Sequence, residues 1–111
     1  MSKSRTTTEE WSSNPADWLH NPHAGEMLRL EFMEPAETSV SELASAIDVS
    51  DERLRAVIEG SNRMDADLDL RLGRYYGMSE GFFLRLQDSY ELLEAKRALN
   101  GRLDRIVPRA A

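Results

Sequence analysis

The sequence contains no cysteine. Disulfides and thiolate metal sites are therefore excluded, and the chain fits a reducing compartment. No apolar run approaches the ~20 residues that a membrane helix needs. The opening stretch MSKSRTTTEEW holds no apolar segment of the kind a secretory signal requires. A soluble, cytoplasmic chain without membrane association is expected. Histidine is nearly as scarce. His20 and His23 flank Asn21-Pro22, where proline breaks a continuous helix and no third ligand follows, so no metal is expected. There is no glycine-rich phosphate loop, and the carboxylates are scattered over helix surfaces. Neither an enzyme nor a cofactor is expected.

Positive charge is also in deficit. Fourteen Lys and Arg stand against twenty Asp and Glu, a net charge of −6. That argues against a polycationic, non-specific nucleic-acid binder. It leaves a sequence-specific one open, and it suggests a basic protein partner. At 111 residues the chain is expected to form one domain with a modest core.

What is present is helical periodicity, centred on Ser39–Gly60. Ser39 with Glu42 has capping-box spacing. Leu43, Ala44 and Ile47 then share one face of a helix. Asp48, a residue type that tolerates left-handed backbone, makes a tight turn plugged by Val49. Ser50 caps a second helix whose buried face is Leu54, Val57 and Ile58, and Gly60 ends it. This pattern describes either a plain αα-hairpin or a helix-turn-helix whose second helix enters the major groove.

The flanks extend the helical reading. Residues 1–10 are Ser/Thr-rich without hydrophobic period, which predicts disorder. Trp11, Trp18 and Leu19 either pack on the domain or anchor a partner. Gly25 to Met33 reads as a helix with Met27, Leu28 and Phe32 inward and Leu30 exposed, stopped by Pro35. A fourth helix runs from the Asp65 cap to Tyr76, with Leu68, Leu72 and one of Tyr75 and Tyr76 inward. Ser79 is the expected cap of a fifth helix, which carries Phe82, Phe83, Leu86, Tyr90 and Leu93 and continues to Leu99. The outer half of that helix, from about Leu92, is long enough to pair with another subunit. Three segments follow: a flexible extension over 1–22, a helical domain over 23–100, and a basic tail over 101–111.

From His23 to about Ala95 the chain resembles the HigA-type (VapI-type) antitoxins, a branch of the lambda-repressor-like, XRE-type helix-turn-helix proteins. The resemblance rests on H-A-G-E-M-L from His23, F-M-E-P from Phe32, L-A-S-A-I-D-V-S from Leu43 and L-R-A-V-I-E-G to Gly60. It is most specific in L-R-L-G-R-Y-Y-G-M-S from Leu70 and F-F-L-R-L-Q-D-S-Y-E-L from Phe82. It implies an all-α, five-helix bundle with a central helix-turn-helix and an extended C-terminal helix. It also implies a homodimer on a palindromic operator in its own promoter, and neutralisation of a small basic HigB-type toxin that cleaves mRNA. The sequence departs from the family's pattern in five places. Ala36-Glu37-Thr38 replaces Leu-Gly-Leu, Asp48 the turn glycine, Asp51-Glu52 the polar or basic residues that usually open the recognition helix, Ser61 a basic residue and Asp69 a small one.

Candidate DNA-contacting residues follow from position and chemistry. Arg53 and Arg55 suit direct contact, since Arg reads guanine bidentately. They diverge on a helix, and the alternative is a surface ion pair with Glu52 or Glu59. Asp51 and Glu52 open the second helix, either accepting from cytosine N4 or only suiting the helix dipole. Asn62 and Arg63 suit phosphate contact or a solvated loop, and Ser39 and Ser50 combine capping with a donor for phosphate. Between Ser39 and Gly60 five acids face two bases, a balance of −3. An acidic reading head works against phosphate binding. A toxin-binding module without DNA binding and a solitary regulator are therefore the rival readings. Lys96, Arg97, Arg102, Arg105 and Arg109 add basic charge near the end.

Overall fold

The computed structural model describes residues 20–110. Five helical segments succeed one another. The first, α1, is α-helical over Ala24–Met27 and runs on as a π-helix over Leu28–Met33. Then come α2 (Val40–Ile47), α3 (Asp51–Glu59), α4 (Ala66–Tyr76) and α5 (Phe82–Leu99), and a single 3-10 turn at Arg102–Arg105. There is no strand among the described residues. The arrangement is the expected all-α bundle with a helix-turn-helix, α2–α3, at its centre. No helix among the described residues is long and apolar enough to cross a membrane.

The helix boundaries follow local chemistry. The α2 start is a complete capping box: the Ser39 hydroxyl accepts from Glu42 N–H at 3.1 Å, and Glu42 accepts from Ser39 N–H at 2.8 Å. Asp48 ends α2 in the left-handed conformation, φ 62°. Val49 N–H closes the motif on Ala44 O at 3.0 Å. Ser50 caps α3, accepting from Arg53 N–H at 3.1 Å. Asp65 caps α4 through Leu68 N–H at 2.9 Å. After Pro35 the backbone turns through Glu37, also left-handed at φ 54°. Glu37 thus keeps the conformation a glycine would supply, and Thr38 N–H reaches back to Met33 O at 2.9 Å.

One boundary corrects the sequence reading. Ser79 does not cap α5. Its hydroxyl meets Arg85 instead, at 3.3 Å. The cap comes from α4, where Asp69 is 2 % exposed. Its carboxylate accepts from the N–H groups of Gly81 at 2.7 Å, Phe83 at 2.7 Å and Leu84 at 3.1 Å. A buried carboxylate satisfied by three donors at a helix start is also favoured by the helix dipole.

The core forms where these helices meet. Leu28, Leu43, Ala44, Leu54, Leu68, Leu72 and Phe83 are fully buried, and Val57 and Ile58 nearly so. Met64, in the connection before α4, is fully buried too. Its N–H donates to the buried Gln87 side chain at 3.2 Å. Tyr76, not Tyr75, turns inward and packs against Phe32 with tilted rings and centroids 4.8 Å apart, while Tyr75 stays half exposed. α1 lies unusually close to α3. A Cβ added at Gly25 would sit 1.8 Å from Val57 O. Only glycine lets the two backbones touch there.

Candidate nucleic-acid interface

The geometry of α3 follows from its buried stripe. Leu54, Val57 and Ile58 face the core. At about 100° per residue the opposite pole holds residues 52, 56 and 59. Glu52 and Glu59 are exposed, and between them stands the small Ala56. Arg53 and Arg55 lie on opposite flanks of that pole. The outward face of α3 is thus acidic along its centre and basic at its edges.

Each candidate side chain has a definite environment. Ser39 and Ser50 are caps, as above, and the Ser39 N–H is taken by Glu42. Asp51 accepts a short hydrogen bond from the Ser41 hydroxyl, which ties the first turn of α3 to the first turn of α2. Arg53 turns toward α4, with Nη2 2.8 Å from Asp67 and 3.2 Å from Asp65. These carboxylates, Asp67 foremost, push the guanidinium further toward its charged form. Arg63 grips Glu91 of α5 through two N–H groups, at 2.8 and 3.3 Å, with Asp88 at 3.7 Å. Asn62 is exposed, and its N–H donates to Ala56 O at 3.1 Å.

Glu52 and Arg55 differ from these. Among the described residues neither makes an ion pair within 4.0 Å or a side-chain hydrogen bond. Arg55 borders a shallow groove between α1 and α3, beside His23, Glu26 and Arg29. The expected alternative for Arg55, a pair with Glu59, is not formed. For Arg53 the partners are Asp65 and Asp67 rather than Glu52.

The scaffold behind α3 contains residues that local sequence did not single out. Arg71 of α4 donates to Asp67 at 2.8 Å, and to the carbonyls of Ile47 at 2.9 Å and Asp48 at 3.1 Å. One arginine therefore satisfies the end of α2 and also orients the carboxylate that holds Arg53. Those two arginines, Arg71 first, keep the Asp67 carboxyl below its usual range. The Asp67–Arg71 spacing of four was the one signal available in sequence. At the other end of α3, His23 accepts from Glu26 N–H at 3.2 Å, capping α1. Its ring also meets Tyr90 edge-on at 5.8 Å. The second histidine, His20, pairs with Glu26 at 3.0 Å.

Leu30 is 37 % exposed, as its position between two polar neighbours implies. Trp11 and Trp18 lie outside the described residues.

No protein-family model matches the chain. Individual relatives do. The chain is 36 % identical over 75 residues to virulence-associated protein I of Dichelobacter nodosus, a match covering 68 % of this chain and 69 % of that one. Among solved structures it is similar to the Pseudomonas aeruginosa antitoxin HigA with the higBA promoter. The TM-score is 0.74 at 30 % identity, over 83 % of this chain and 100 % of that one. It is also similar to PA4674 of the same organism in complex with 18-bp operator DNA, with a TM-score of 0.77 at 33 % identity, over 83 % and 98 % of the two chains. With 36 % identity over two thirds of both chains, and the same fold at 30 % and 33 % identity in the solved structures, the chain belongs to the HigA-type (VapI-type) antitoxins, within the XRE-type helix-turn-helix proteins.

Proposed function

We propose that the chain is a sequence-specific DNA-binding antitoxin that represses its own operon. In this reading it works as a homodimer and presents two α3 helices roughly 34 Å apart to a palindromic operator. It also covers a small, basic, mRNA-cleaving toxin of the HigB type, which its net charge of −6 would attract. Residues 23–100 form the DNA-binding domain, preceded by an extension over 1–22 and followed by a basic tail over 101–111. Ser39, Ser50, Asp51, Glu52, Arg53, Arg55, Asn62 and Arg63 make up or support the DNA-facing surface. Trp11, Trp18 and Leu30 are the candidate anchors for the protein partner. The action is cytoplasmic.

One observation carries the DNA-binding part. Two relatives of the same fold, at 30 % and 33 % identity, were solved with promoter or operator DNA. The test is a gel-shift titration of the full chain on its own upstream DNA at two salt concentrations. Tight binding that weakens steeply with salt supports the proposal. The toxin part is tested by co-purification with the product of a small basic reading frame beside the gene.

A second reading has its own support in Glu52 and Glu59, which make the outer face of α3 acidic. In that reading the chain covers the toxin but does not bind DNA. Absence of any shift at low salt, with toxin binding intact, decides for it.

A further inference from the structure

We infer that Glu52 is the specificity-determining residue of α3 and that it selects cytosine in each operator half-site. This deepens the DNA-binding reading and rests on it.

The inference starts from which side chains are committed within the fold. Asp51 is held by Ser41, Arg53 by Asp65 and Asp67, and Arg63 by Glu91 and Asp88. Ser39 and Ser50 give their oxygens to helix caps. Of the charged candidates only Glu52 and Arg55 keep their groups unengaged among the described residues. Arg55 lies on the flank toward α1, off the outward pole. Glu52 stands on the outward pole, in the first turn of α3. That is the end of a recognition helix which contacts base edges. Ala56, one turn further along the same pole, is too small to hold the helix away from the groove floor.

The chemistry of a carboxylate then narrows the base. An ionised Glu only accepts hydrogen bonds. In the major groove guanine shows two acceptors and thymine an acceptor and a methyl group. Adenine shows a donor, but beside the N7 acceptor. Cytosine N4 is the one edge that offers a donor without an adjoining acceptor on its own base. A charge placed here gains at cytosine and loses elsewhere, because an unpaired carboxylate pressed against DNA is repelled and desolvated. Selectivity through that penalty also explains how an acidic reading head is useful. It weakens binding to every sequence that lacks the matching donor.

The test uses the full chain and double-stranded libraries randomised through the footprint on its upstream DNA. The wild type is expected to select cytosine at one position of each half-site. Replacing that cytosine should weaken binding by about 5- to 150-fold. Glu52→Gln is expected to move the preference at that position from cytosine to adenine, which Gln reads bidentately. Circular dichroism and thermal melting confirm that this surface change leaves the fold intact. Unchanged preference at every position in Glu52→Gln overturns the inference. So does a Glu52→Ala variant that binds all sequences more tightly by one common factor, because Glu52 would then be only a repulsive charge. A wild-type chain that shifts no upstream DNA overturns the DNA-binding reading itself, and this inference falls with it.

Discussion

The carboxylate of Asp69, in the first turn of α4, accepts a hydrogen bond from the backbone N–H of Phe83 at 2.7 Å. The N–H groups of Gly81, just before α5, and of Leu84 complete the set. The contact joins helices through a buried charge, so its loss strands the buried N–H of Phe83 and the half-buried ones of Gly81 and Leu84. Asp69→Ala is expected to cost at least ~3 kcal/mol, the scale for several buried donors left without a partner. Urea denaturation should show a lowered midpoint. Asp69→Asn, which keeps one acceptor oxygen, should fall between the variant and the wild type. A wild-type midpoint in Asp69→Ala would contradict this.

Gly25 is the second structural pivot. Its α-carbon lies where a methyl group would overlap the carbonyl of Val57. Gly25→Ala has to push α1 away from α3 and is expected to cost more than the ~1–3 kcal/mol typical of overpacking. Because the clash is with backbone, no side chain can relieve it. Thermal melts of the purified variant check this.

Two left-handed positions can be improved. Glu37 and Asp48 adopt φ of 54° and 62°, where a β-carbon costs roughly 1–2 kcal/mol relative to glycine. Glycine loses some of that gain through its freer unfolded state. Glu37→Gly is expected to raise stability by up to ~1 kcal/mol, and Asp48→Gly by a similar amount. Equal or lower melting temperatures in both would show that the side chains compensate locally.

Much of this was legible in sequence because it is local. Capping boxes, left-handed C-caps and the Leu54-Val57-Ile58 stripe each span a few residues, and the helix-turn-helix follows from them. What was not legible depends on contacts across long separations. Ser79 has the right type and place to cap α5, yet Asp69, twelve residues before Gly81, takes the role. Nothing in Asp65 or Asp67 alone shows that α4 brings them to Arg53. Met64 lies in the connection before α4, and neither its full burial nor its N–H bond to Gln87, 23 residues on, is marked by any local pattern. The π-helical widening over Leu28–Met33 leaves no mark in the apolar spacing.

The two α3 arginines should behave differently on substitution. Arg55→Ala, on the flank rather than the outward pole, is expected to weaken operator binding about equally for every sequence and to lower its salt dependence, as loss of a phosphate contact does. Its melting temperature should stay near that of the wild type. Arg53→Ala removes a partner from Asp65 and Asp67. These pairs are partly exposed, so a loss of no more than ~1 kcal/mol is expected. Gel shifts and melts on both variants separate the effects. Equal loss of binding in the two, with no change in melting, would contradict the division.

Acid should loosen the surface network. In the folded chain the Glu91 carboxyl is held below its ordinary value of 4.5, first by the Arg63 hydrogen bond and then by Gln87. Asp67 is held below 3.8 by Arg71 and Arg53. Glu42 is held below 4.5 by the backbone N–H and then the hydroxyl of Ser39. A carboxyl with a depressed folded pKa contributes stability above its unfolded value and loses it as pH falls through the folded one. Stability from these groups is therefore constant near neutrality and declines below about pH 4.5. Carbon-13 NMR titration of Arg63→Ala should move Glu91 back toward 4.5, leaving Glu42 unmoved. An unmoved Glu91 would refute the assignment.

The recognition helix carries its core residues and its outward residues as two separate sets. Leu54, Val57 and Ile58 hold the helix in place, while Glu52, Arg55 and Glu59 are exposed. Changes in the second set need not pass through misfolded intermediates. A duplicated copy of such a chain can drift to a new operator by single substitutions while remaining folded. In the proposed DNA-binding reading, related chains in one genome can thereby become insulated from one another without a change of architecture.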